Sequence, residues 1–208
     1  MKKPGQDNRL WFGPIALLLF VAGTITIGQM TPGYSLVRQT VSELGEVGAP
    51  GRTAFTMLLC IIAASLLVYA GALVRSLHEL GHTPVPAYLV SAMAISCAGV
   101  GVFSFPHPLH NVFGLSETLG LQAPLAAALV SRHDARAKQL TMFSTVMYIL
   151  VLLAIAINLI PIIRPPALWV HLRPIFGLVQ RSLFASWFTW SAGYALFLMR
   201  LNRDRHAR

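Results

Sequence analysis

Six apolar runs, separated by short polar stretches, organise this chain: residues 10–28, 53–74, 86–102, 112–130, 140–160 and 175–199. Each reaches roughly the 17–25 residues that an α-helix needs to cross the hydrocarbon core of a bilayer. The pattern predicts an all-α integral membrane bundle of six transmembrane helices, forming a single domain over residues 1–208. The third run is the shortest. The sixth carries Gln180 and Arg181, so its apolar core is expected to begin near Leu183. Lys2, Lys3 and Arg9 precede the first run as they would in a signal peptide. That run exceeds the roughly 7–15 apolar residues of such a peptide and no A-x-A site follows it, so it reads as an uncleaved helix.

The polar stretches have their own local logic. Thr31-Pro32-Gly33-Tyr34 reads as a turn. Thr40-Val41-Ser42-Glu43 fits a capping box, in which Thr40 accepts from a first-turn amide and Glu43 reaches back to the Thr40 amide. A short helix would follow, stopped by Gly45, Gly48 and Pro50. Asn158 and Pro161 are expected to end the fifth helix, and Gly99 and Gly101 to permit close helix packing. Ser42-Glu43-Leu44-Gly45 with Ala49-Pro50 is echoed by Ser116-Glu117-Thr118-Leu119-Gly120 with Ala123-Pro124. His110…Phe113-Gly114-Leu115 is echoed by His171…Phe176-Gly177-Leu178. These echoes raise a helix-hairpin pseudo-repeat, since internal symmetry is a known feature of membrane folds.

Composition makes lipid the solvent. Hydrophobic residues are 55% of the chain and charged residues 11%, against about 25% charged in a soluble domain. The net charge of +9 would suit nucleic acid, but the basic residues border the apolar runs instead of forming one patch. Nucleic acid is therefore excluded as a partner. With the N-terminus inside, Lys2, Lys3, Arg9, Arg75, Arg132, Arg136, Lys138, Arg200, Arg203, Arg205 and Arg208 face the cytoplasm. Arg38, Arg52, Arg164, Arg173 and Arg181 face outward. This split predicts a multi-pass protein of the cell (inner) membrane with both termini cytoplasmic. Trp11, Tyr34, Trp169 and Trp187 fall near run ends, as interfacial anchors do. Cys60 and Cys97 lie inside apolar runs and read as small hydrophobes.

Three segments carry a resemblance to a known family. They are Pro32-Gly33-Tyr34, Ser42-Glu43-Leu44-Gly45 before the second helix, and Phe105-Pro106 with Leu109-His110 before the fourth. Together they resemble the bacterial membrane family catalogued as domain of unknown function 998, over nearly the whole chain. The resemblance implies six transmembrane helices and no particular activity. An acidic residue often follows the Phe-Pro pair in that family; His107 stands there in this chain, so no acidic role carries over.

Polar groups of interest gather near the outer ends of the runs. Ionisable groups near hydrocarbon are costly and usually pair or face a protein interior. Glu117 and Arg181 lie at similar depth below the outer surface, counted at about 1.5 Å per residue, and are expected to form an ion pair. Ser42, Glu43, His107, His110, Glu117, His171 and Arg181 are the candidate lining of an outer pocket for a lipid or other amphiphile. His107, His110 and His171 are enough imidazoles for a metal, but their placement around Pro108 and the lack of an H-E-x-x-H spacing argue against one. His78, His82 and His133 at the other end read as interfacial polarity. No cofactor and no catalytic residue is expected: G-x-S-x-G, Walker A and dinucleotide patterns are missing. The expected partners are membrane lipids, an amphiphilic ligand, and a membrane-protein partner or second copy. A metal-assisted intramembrane lipid hydrolase and a helper subunit are the alternatives. The hydrolase would draw on Ser42, His107, His110, His171 and Glu117, residue types shared with seven-helix ceramidase-like hydrolases, whose full Ser, Asp and paired-His arrangement is not present.

Overall fold

The computed structural model describes residues 7–163 and 166–206. Its helices are α1 (Phe12–Met30), α2 (Arg52–Glu79), α3 (Val85–Val102), α4 (Pro108–Gly120), α5 (Ala123–Ser131), α6 (Lys138–Asn158), the short α7 (Ile160–Ile163) and α8 (Pro166–Leu172), and α9 (Phe176–His206). Among the described residues, five stretches are long and apolar enough to cross a membrane: Asn8–Met30, Arg52–Glu79, Val85–Val102, Pro108–Ser131 and Ala135–Asn158. The sixth crossing is α9, 31 residues long and less apolar than the rest. Its composition follows from its place. α9 packs on α1 and α6 and also touches α2 and α5, so Trp187, Trp190, Ser191 and Tyr194 face protein and are fully buried.

Sequential helices are neighbours and the last returns to the first. α1 packs on α2, α2 on α3, α3 on α4 and α5, α5 on α6, α6 on α9, and α9 on α1. This closed up-and-down ring suits short connections. Its outside is apolar: Leu18, Met57, Ile61, Ile95, Met142 and Leu153 are each more than half exposed. An exposed apolar surface of that extent is one that faces lipid.

The fourth crossing is broken in mid-span between α4 and α5. Pro124 has no N–H to give the Gly120 carbonyl, and a helix tolerates that only where another donor satisfies the freed oxygen. Here the Trp187 indole N–H donates to the Gly120 oxygen at 2.9 Å. Tyr148 donates to the Gln122 side chain at 2.8 Å, pinning the break to α6. Gly120 is required there, because a Cβ would come within 2.5 Å of Met93 Cβ. Trp187 is therefore a buried strut and not the interfacial anchor expected from its run-end position. The echoed Ser-Glu motifs fall on unlike structure: Ser42–Gly45 is a 3-10 turn in the first loop, whereas Ser116–Gly120 is mid-span helix.

The small-residue reading of α3 is met in detail. A Cβ on Gly99 would strike the Phe113 ring, and one on Gly101 would sit 3.0 Å from Leu59 Cβ. At the end of the bundle away from the long first loop, Asp134 accepts from the Arg136 amide and pairs with its guanidinium at 2.9 Å. That bond holds the Asp134 carboxyl below its usual range. His82 Nε2 approaches the same carboxylate at 3.5 Å, yet burial pushes the His82 imidazole below its usual range.

Candidate functional site

The first loop folds back onto the start of α9. Thr31–Tyr34 is the expected turn: Tyr34 N donates to Thr31 O, and Gly33 holds φ +75°, a left-handed value that favours glycine. The loop then crosses α9 at Gly177, where a Cβ would meet the Gln39 carbonyl oxygen at 2.3 Å and that of Leu36 at 2.7 Å. Only glycine lets the two backbones approach so closely. Leu178 N donates to Val37 O at 3.2 Å, and Val41 N to the Gln180 side-chain oxygen at 2.6 Å.

Arg181 is the centre of this junction. Its Nη1 donates to the carbonyls of Leu36 (2.7 Å), Gln39 (2.8 Å) and Gly177 (3.0 Å), and its Nη2 to the Tyr34 hydroxyl. Tyr34 passes the chain on, donating to Thr40 O at 2.6 Å. Burial pushes the Tyr34 phenol above its usual range against the opposing pull of Arg181, which keeps it a donor. The expected Glu117–Arg181 ion pair is thus not formed. Equal depth does not put two residues on facing sides, and the 177/181 side of α9 faces the loop carbonyls.

Glu43 tightens the same loop. It accepts from Thr40 N at 2.9 Å, Thr40 Oγ1 at 2.8 Å and Gln39 Nε2 at 3.0 Å. This is the reach-back half of the expected capping box. The other half is replaced, because the Thr40 hydroxyl bonds to Glu43 and stands 3.2 Å from the Ser42 hydroxyl instead of accepting from an amide.

Beneath this loop lies a cavity of about 350 Å³. Its origin is the geometry of α4. Phe113 and Ser116 face α3, where the Phe113 ring stacks on Phe103 and the Ser96 and Ser116 hydroxyls meet at 2.7 Å. Val112 and Leu119 are exposed at the lipid side, and Leu115 is exposed beside the cavity, which it also lines. His110, Gly114 and Glu117, spaced one and two turns apart, line the cavity. α5 below the break packs on α6 and α9, while α4 above it packs on α3. Above the break α4 makes no comparable packing on α6 or α9, and the cavity occupies the space between α4 and α9 there. Phe20 of α1, Phe55 and Leu59 of α2, Cys97 and Val100 of α3, and Phe184 and Phe188 of α9 complete the apolar wall. Ser42, Asn111 and Gln180 add polar atoms near the loop.

Of the seven residues singled out in the sequence, Ser42, His110 and Glu117 meet at this cavity. Glu43 and Arg181 build the loop above it and do not line it. His107 is exposed, its Nδ1 capping α4 by accepting from Leu109 N at 3.2 Å, and His171 is exposed on α8. No group of three or more His, Cys, Asp or Glu among the described residues could hold a metal ion. Gly114, Gln180 and the phenylalanine wall are lining residues beyond those the sequence marks as site candidates. The Gln180-Arg181 pair inside an apolar run was the available signal. Since Glu117 and Arg181 share no contact, the stability losses of Glu117→Gln and Arg181→Gln are expected to add. A double-mutant cycle in thermal unfolding with coupling above roughly 0.5 kcal/mol would contradict this.

A ring of six helices, apolar outside and hollowed by a cavity below a tied-down loop, defines a multi-pass transmembrane bundle. Within that class, the chain belongs to the family described as "Protein of unknown function (DUF998)", whose model matches residues 14–196. No curated protein and no solved structure matches the chain.

Proposed function

We propose that this protein binds a lipid or other amphiphile in the cavity beneath the first loop. The observation that carries the reading is the cavity's composition and position: apolar walls from five helices, a few polar groups, and sparse packing of α4 on α9 beside it. Small-molecule sites are typically about 300–1,000 Å³ and mostly apolar with few polar contacts. A mouth between two transmembrane helices admits a ligand from the bilayer, with its tail in hydrocarbon and its headgroup near Ser42, His110 and Gln180. A metal-assisted hydrolase is not favoured, because His107 and His171 are exposed at the surface while His110 lines the cavity. Native mass spectrometry of protein released from its membrane without delipidation tests the reading. The expected spectrum carries one amphiphile per chain, retained at energies that strip surface lipid; uniformly bare protein would overturn it.

The charge split supports a topology with the loop-bearing end outside a bacterial inner membrane and the termini and the 132–138 loop in the cytoplasm. The cavity then opens to the outer leaflet. In a chain lacking Cys60, a cysteine at the exposed Ala135 is expected to resist a membrane-impermeant thiol reagent in intact cells. One at the exposed Val47 is expected to react. The opposite labelling pattern would invert the topology.

A further inference from the structure

The cavity has a polarity that its size alone does not explain. The chain has 16 Lys and Arg against 7 Asp and Glu, yet the charged side chain lining the cavity among the described residues is an acid, Glu117. Arg181, the base expected to pair with it, is held instead by the Leu36, Gln39 and Gly177 carbonyls and by Tyr34. The Glu117 carboxylate makes no hydrogen bond or ion pair with any described residue. A carboxylate among phenylalanines is costly unless a donor or cation meets it. His110 adds a second acceptor. Its Nδ1 lies 2.9 Å from the Phe103 carbonyl oxygen, which can only accept, so Nδ1 carries the proton. In the neutral ring Nε2 is left to accept from a ligand.

We propose that the cavity selects amphiphiles whose headgroup is a protonated amine, held by the Glu117 carboxylate and by the His110 Nε2 lone pair. This rests on the reading of the cavity as an amphiphile site. An ammonium supplies three donors on a compact charge, matching one carboxylate and one imidazole. A carboxylate headgroup would meet Glu117 as a like charge, and an alcohol would offer one donor without charge. Charge-assisted hydrogen bonds are worth about twice neutral ones, so the preference for amine over alcohol should reach about tenfold.

The test is competition binding to the full chain in phosphatidylcholine nanodiscs, with radiolabelled dodecylamine as probe and empty nanodiscs as blank. Unlabelled dodecylamine, dodecanol and dodecanoate are the competitors, sharing one tail. The expected order is dodecylamine about tenfold better than dodecanol, with dodecanoate weakest. Glu117→Gln should bring the amine and alcohol to within about twofold of each other, and Glu117→Asp should keep the amine preference. Melting temperatures of both variants confirm that folded protein is compared. Equal competition by all three amphiphiles in the native chain, with binding lost in Gly114→Phe, overturns the amine selectivity and leaves the amphiphile site standing. No binding above empty nanodiscs for any probe, tested with labelled dodecanol and dodecanoate as well, overturns both.

Discussion

Gly114→Phe is expected to abolish amphiphile binding while leaving the bundle folded. Gly114 lines the cavity, and a Cβ built on it would meet no atom within 4 Å. A phenyl ring therefore enters empty space, whereas most glycines of this chain are packed against a neighbour. The added ring occupies the volume a ligand needs between His110 and Glu117 and covers apolar wall, which offsets any local crowding. Binding should fall by at least about tenfold, with a melting shift below about 4 °C, the equivalent of roughly 1 kcal/mol at this chain length. Gly71→Phe is the matched control, since that site is also open but lies on the exposed outside of α2. Retained binding in the Gly114 variant would remove the cavity from the account.

Arg181→Ala is expected to give the largest stability loss of any single change at the loop. The substitution leaves the Leu36 and Gln39 carbonyls and the Tyr34 hydroxyl without the donor that joins them to α9. Removing hydrogen bonds to a charged group and stranding part-buried acceptors costs roughly 3 kcal/mol, or about 6–12 °C in melting temperature for a chain of this size. Limited proteolysis should then cut faster between Leu36 and Thr40, a stretch whose backbone carbonyls Arg181 holds in the native protein. Lysine is expected to rescue only part of the loss, because a compact ammonium cannot span three carbonyls and a phenol as the guanidinium fork does. An unchanged melting temperature with an equally protected loop would mean that the loop is held by Glu43 and Gln180 alone.

Much of the fold could be read from the chain because hydrocarbon imposes a simple rule: each crossing is a long apolar helix. The six runs, the Thr31–Tyr34 turn and the close packing at Gly99 and Gly101 all follow from local residue types. What failed was direction around the helix axis. Glu117 and Arg181 were paired on depth alone, yet Glu117 shares a face with His110 and Gly114 while Arg181 shares one with Gly177. Trp187 was assigned to the interface from its position near a run end, but a proline four residues beyond Gly120 had created a carbonyl for it to satisfy. That proline, Pro124, stands in the sequence as part of the internal echo. A cavity leaves no mark in a hydropathy pattern, so Gly114 and the four phenylalanines could not be told from ordinary core. His107 and His171 were grouped with His110 because all three precede crossings; the α4 cap and the separate α8 helix disperse them.

The most direct measurement is an experimental structure of the chain in nanodiscs made from its own membrane lipid. The expected result is elongated density entering between α4 and α9, its tail against Phe184 and Phe188 and its headgroup within hydrogen-bond distance of Glu117 or His110. A cavity closed by α4 packing directly onto α9, with lipid density only on the outer surface of the ring, would contradict it.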